Sequence, residues 1–257
     1  MTEAQDILYR RPWGFWSTFG FGIAIIIAFF ITAVLVSIGF VFVNIGTQPV
    51  LDPSQALDAI LGIVTAKAGL LTALSTIATA VVGVGLTVAV ISMRRGISIP
   101  EYLGLKPVSA KTILLSLAIV IGLIIANDAT CVIIGRPINP QVMVDTYNAS
   151  VWSALFWIAV VIFAPVFEET FFRGFLFKGF SYSRLGIIGT IILTSLAWTL
   201  LHQQYEVFEL VSIFISGILL GVMRYKTGSL WIPLIMHSFM NVVATLEVAL
   251  NVNGLFG

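Results

Sequence analysis

Charge is what this sequence has least of. Only 10% of its 257 residues are Asp, Glu, Lys or Arg, while 59% are hydrophobic and the mean hydropathy is +1.06. Ordinary soluble domains carry roughly 25% charged residues, so this chain lacks the means to present a charged shell to water on every side. Its net charge of +1 excludes the basic face of a nucleic-acid-binding domain, and no nucleic-acid partner is expected. The single cysteine, Cys131, excludes an intrachain disulfide and leaves the redox compartment unreadable. No small-residue cleavage site follows the first apolar run, which is therefore expected to be retained. Internal repeats and low-complexity tracts are also lacking.

What is present is a succession of apolar runs with short breaks. A helix needs about 20 apolar residues to cross the hydrocarbon core. The runs that qualify are Phe15–Asn44, Gly69–Met93, Thr112–Gly135, Val151–Phe177, Leu185–His202, Val207–Met223 and Leu230–Leu250. They predict an all-α, polytopic bundle of seven spans, one membrane-embedded domain over residues 1–257 with a motif-bearing core at 151–250. The run Leu57–Met93 is too long for one perpendicular span, so its part before Gly69 is expected to lie at the interface or to form a short eighth helix.

Short cytoplasmic loops collect Lys and Arg. Arg10, Arg11, Arg94, Arg95, Lys106, Lys111, Lys178, Arg184, Arg224 and Lys226 fall in alternate loops of the seven spans, all on the side of the N-terminus, whereas Arg136 falls in an opposite loop. The loops Thr47–Asp58 and Gln203–Glu206 and the tail after Leu250 contain neither residue. This pattern predicts a multi-pass cell-membrane protein with a cytoplasmic N-terminus.

Ionisable groups inside hydrocarbon cost at least about 2.5–3.5 kcal/mol each and call for a partner or a function. The stretch "FAPVFEETFFRGFLF" carries Glu168, Glu169 and Arg173, and the only two histidines, His202 and His237, also lie in apolar runs. Residues four apart share a helical face, so Glu169 and Arg173 are expected to form a buried ion pair. Glu168, rotated by about 100°, is left without a counter-charge on its own helix and is the candidate general base or acid. His237 and Asn241, four apart, can face one cavity, and Trp198, four before His202, can wall that histidine's ring. Asp128 and Lys67, both toward the opposite side, are expected to pair in a structural role.

Three motifs in order resemble the CAAX-processing and bacteriocin-processing intramembrane proteases, the CPBP or Abi family. "EETFFR" (Glu168 to Arg173) is similar to that family's EExxxR, "WTLLH" (Trp198 to His202) stands in the place of FxxxH, and "HSFMN" (His237 to Asn241) is similar to HxxxN. The lead-in "GILLGVMRYKTGSLWIPLIMH" and the loop "EYLGLKP" are similar as well. The likeness is firm over 151–245 and loose before it, and Trp198 for phenylalanine is a departure. It implies peptide-bond hydrolysis inside the membrane, like that of type II CAAX prenyl endopeptidases. Glu168 and His202 would activate water, and His237 and Asn241 would stabilise the oxyanion. Glu169 and Arg173 would support them. The substrate would be a peptide or protein, membrane-associated or lipidated, met within the lipid bilayer. No cofactor is expected, although Glu168, His202 and His237 are also a plausible zinc set.

Two other readings stay open: a non-catalytic protein on the same scaffold, serving bacteriocin self-immunity or partner binding, and a proton-coupled transporter. The motifs also pose a geometric difficulty. Counted along ideal perpendicular helices, Glu168 lies about 15 Å from the cytoplasmic surface and His202 about 27 Å. Convergence then requires that the Gly179–Gly186 linker dip into the protein or that the fifth helix tilt strongly.

Overall fold

The computed structural model describes residues 11–45, 55–250 and 254. Arg10, most of the Thr47–Asp58 loop and all but Gly254 of the tail after Leu250 lie outside the described residues. Within them the chain is helical throughout: α1 (Phe15–Ile45), α2 (Ala56–Ala66), α3 (Ala68–Ser92), α4 (Ile99–Leu103), α5 (Ala110–Ile134), α6 (Gln141–Asn148), α7 (Ser153–Ser181), α8 (Gly186–His202, its last turn a 3-10 helix), α9 (Val207–Thr227) and α10 (Trp231–Ala249). The expected all-α polytopic bundle is what forms. Six helices, α1, α3, α5, α7, α9 and α10, are long and apolar enough to cross a membrane; α8, the expected fifth span, is a shorter apolar helix.

The excess length before Gly69 resolves into α2, which ends where Lys67 breaks the helical path at φ −124° and ψ 25°. At 1.5 Å per residue α2 is about 16 Å long, too short for a core of about 30 Å. The eighth apolar helix thus adds no full crossing.

Burial separates the spans into two kinds. In α1 and α5 only 11% of the apolar window is buried, as expected of helices whose sides face lipid, whereas in α7 the figure is 44%. The centre of the bundle is therefore α7. Its Phe167, Phe171, Phe172, Phe175 and Leu176 are all buried, and the Phe167 ring stacks on Phe29 of α1 with centroids 5.0 Å apart. Around it, α1 packs along α3, α8 along α9, and α10 against both α9 and α5.

Two π-helical segments interrupt α7, at Ala159–Phe163 and Glu169–Leu176. Such segments widen the turn, weaken the ladder of backbone hydrogen bonds and are frequent at functional sites. Here each has a carbonyl taken up by a side chain from another helix: Val160 O accepts from Asn241 Nδ2 at 2.8 Å, and Arg173 O accepts from Arg224 Nε at 2.9 Å.

Two sequence expectations are corrected. Arg224, counted among the loop bases, is buried in α9, where its Nη2 also donates to Leu103 O at 3.1 Å. Gly104 makes room for it: φ there is +73°, and a Cβ would stand 2.4 Å from Arg224 Nη2. Lys67 does not meet Asp128; its Nζ donates to Asn44 Oδ1 at 2.6 Å. Asp128 instead accepts from Asn127 Nδ2 at 3.4 Å and lines the same cavity as Glu247 of α10.

Candidate active site

The buried ion pair forms as the spacing requires. Arg173 Nη1 donates to Glu169 Oε1 at 2.9 Å, with both side chains fully buried. Helical geometry on α7 brings these two together, but what surrounds them comes from three other helices. Arg173 Nη2 donates to Gly217 O of α9 at 3.1 Å, and its guanidinium lies 4.7 Å from the centre of the Trp198 ring of α8. Gly217 permits that approach, since a Cβ there would stand 3.1 Å from Trp198 Cε3. Glu169 Oε1 also accepts from His237 Nδ1 of α10, at 2.9 Å. A glutamate assigned on sequence to an arginine alone is therefore shared between arginine and imidazole.

That bond orients His237. A carboxylate can only accept, so Nδ1 carries the proton and Nε2 is the remaining nitrogen. Nε2 faces Glu168 Oε2 at 3.9 Å. Among the described residues Glu168 forms no ion pair with a cation of its own helix, as expected, and its Oε2 accepts a hydrogen bond from Trp198 Nε1. His202 Nδ1 donates to the Trp198 carbonyl at 3.0 Å, one helical turn back, which likewise leaves its Nε2 as the other nitrogen. The His202 ring meets the Trp198 ring edge-on at 5.2 Å, and His237 meets the same indole edge-on at 5.1 Å.

The depth difficulty disappears because α7 does not stop at Phe177. It continues to Ser181, with Phe177, Gly179 and Phe180 buried, and α8 begins at Gly186. Counted from this turn, Glu168 lies 13 residues back and Trp198 lies 12 residues on. The two arms are then about 18–20 Å each. Trp198 thus comes level with Glu168, and His202 lies one turn beyond. The helix thus runs about one turn beyond the apolar run that ends at Phe177.

Glu168, Trp198, His202, His237 and Asn241 all line one cavity of about 880 Å³. Asn241 spends one amide hydrogen on Val160 O and keeps its second. The rest of the cavity is apolar, with residues such as Phe156, Phe208 and Met240, and then a second polar wall. There Ser212 Oγ donates to Asn127 Oδ1 at 2.8 Å, and Glu209 Oε1 is held from outside the cavity by Arg136 Nη2 at 3.1 Å. Asp128 and Glu247 complete that wall.

Glu168 and His237 face each other, but His202 meets them only across the Trp198 indole, and among the described residues no three His, Cys, Asp or Glu side chains are grouped as metal ligands.

Sequence reasoning missed two participants. Trp198 was read as a wall for His202 and as a departure from the motif's phenylalanine, but not as a hydrogen-bond donor to Glu168. Arg224 was hidden because a basic residue at the end of an apolar run reads first as a loop anchor.

Comparison with known families places this region. Residues 150–243 match the family described as "Type II CAAX prenyl endopeptidase Rce1-like". This segment contains every residue of the three motifs, so the resemblance read from them holds. Neither the curated proteins nor the solved structures gave a match to the chain.

Proposed function

We propose, from the Rce1-like match of residues 150–243 and the cluster enclosed in it, that this chain is an intramembrane endopeptidase acting on a peptide bond near the end of a membrane-associated, CAAX-type substrate. The observation that carries this reading is the meeting of Glu168 and His237 from separate helices, backed by the buried Glu169–Arg173 pair, at a cavity that His202 and Asn241 also line.

In this mechanism Glu168 takes a proton from water, and the hydroxide adds to the scissile carbonyl. His202, its Nδ1 held by the Trp198 carbonyl, orders the water through Nε2. The oxyanion is met by the second amide hydrogen of Asn241 and by His237. Because His237 Nδ1 is committed to Glu169, its Nε2 donates only in the imidazolium form, in which the ring stands between Glu169 and Glu168. Collapse of the tetrahedral intermediate returns the proton from Glu168 to the departing amine. Donors fixed before the charge develops supply a large part of such a rate. A transporter would instead favour broken helices in matching halves, and the two π segments both lie in α7.

Purified protein is expected to cleave members of a library of farnesylated and unlipidated CAAX-ended peptides, with Glu168→Ala as the blank. A strong chelator should leave the rate unchanged. Cleavage equal to the blank would end the endopeptidase reading. Stoichiometric zinc, lost together with activity in His237→Ala, would replace the water-activation scheme with a metal-dependent one.

The orientation is proposed with the N-terminus in the cytoplasm. In a Cys131→Ser background, a cysteine at the exposed Lys111 should react with impermeant reagent only from the cytoplasmic side, and one at the exposed Asn148 only from the opposite side. The reverse pattern would invert the topology.

A further inference from the structure

Trp198 touches more of the candidate site than any sequence motif suggests. Its indole N–H donates to Glu168 Oε2, both imidazoles lie edge-on against its rings, and the Arg173 guanidinium covers its face at 4.7 Å. It is buried, it lies beside Gly217, and its own carbonyl holds His202 Nδ1.

We infer that Trp198 is the positioning residue of this site: its indole N–H fixes the Glu168 carboxylate in one orientation, and its rings set the spacing of the two histidines. This rests on the endopeptidase reading for its kinetic consequence but not for the contact itself. Three features support the assignment. An indole nitrogen is a donor only, so a buried one facing a carboxylate has a single mode of bonding. A bond to Oε2 leaves Oε1 for the water, and among the described residues no hydrogen bond reaches Oε1. Finally, Arg173 over the indole face ties Trp198 to the Glu169–His237 pair, so one rigid side chain touches the acid, both imidazoles and the ion pair. Phenylalanine, which the resembled motif has at this place, could fill the volume and flank the rings but could not hold the carboxylate.

The test separates the N–H from the ring. Trp198→Phe, and replacement of Trp198 by 3-benzothienylalanine, which keeps the bicyclic shape without the N–H, should both lower kcat on a cleaved farnesylated CAAX peptide. The expected loss is about 10–100-fold, the usual size for a hydrogen bond to a charged group, with KM within about twofold. Restoration of wild-type kcat by the benzothienyl isostere would reduce Trp198 to packing and overturn the inference. Independently of turnover, ultraviolet resonance Raman should show one indole N–H passing to a weaker hydrogen bond in Glu168→Ala, and no such change when Glu168→Ala is made in Trp198→Phe. An unchanged indole band in Glu168→Ala would also overturn the inference. If the wild type cleaves none of the peptides, the endopeptidase reading falls, and the Raman pair alone decides the position of Trp198.

Discussion

Glu168→Gln should leave the protein folded and reduce peptide hydrolysis by about 10²–10⁴-fold, the range for losing a general base. The side chain keeps its length, and the amide oxygen can still accept from Trp198 Nε1, so the packing at the base of the cavity survives. What is lost is the ability to accept a proton from water. Thermal stability measured in detergent should stay near that of the wild type, because Glu168 is only partly buried, at 17% side-chain exposure, and carries no ion pair with a cation of α7. Hydrolysis within tenfold of the wild type would remove Glu168 from the base role.

Glu169→Gln should fail differently. Arg173 has no exposure at all, and Glu169 is its ionic partner. Removing one member of a buried pair leaves an uncompensated charge, at a typical cost of about 3–5 kcal/mol. A large drop in thermal stability and expression is therefore expected. The double replacement Glu169→Leu with Arg173→Met removes both charges, and such apolar swaps of buried pairs are often neutral or stabilising. It should recover stability. It should not recover activity, because His237 Nδ1 loses its acceptor and the ring its fixed orientation. Activity restored by the double replacement would confine Glu169 to a structural role, and equal stability of Glu168→Gln and Glu169→Gln would undo the division between them.

The two glutamates also show where sequence reading reaches and where it stops. Adjacent residues on a helix point about 100° apart, and residues four apart align. From this alone Glu169 belongs with Arg173, and Glu168 does not. Local geometry dictates that much because the i,i+4 relation survives even the π segment that begins at Glu169. The apolar runs likewise settle the helical class and nearly all the spans, since hydrocarbon admits only backbones that satisfy their own hydrogen bonds.

Tertiary structure decided what those residues meet. No spacing within α7 indicates that Glu169 is shared with His237 of α10, 68 residues away, or that Glu168 accepts from Trp198 of α8, 30 residues away. Both contacts depend on where α7 ends and α8 begins. A shift of one turn in that hairpin changes which side chain of α8 comes level with Glu168, and the break in apolar composition at Lys178 comes before α7 ends at Ser181, so it does not mark the boundary. Arg224 follows the same logic. Its place at the end of α9 was readable, but its burial depends on Gly104 and on the Arg173 carbonyl, which arrive from separate parts of the chain. Periodicity determines the face a residue takes on its own helix; only the packing of helices against one another determines what that face touches.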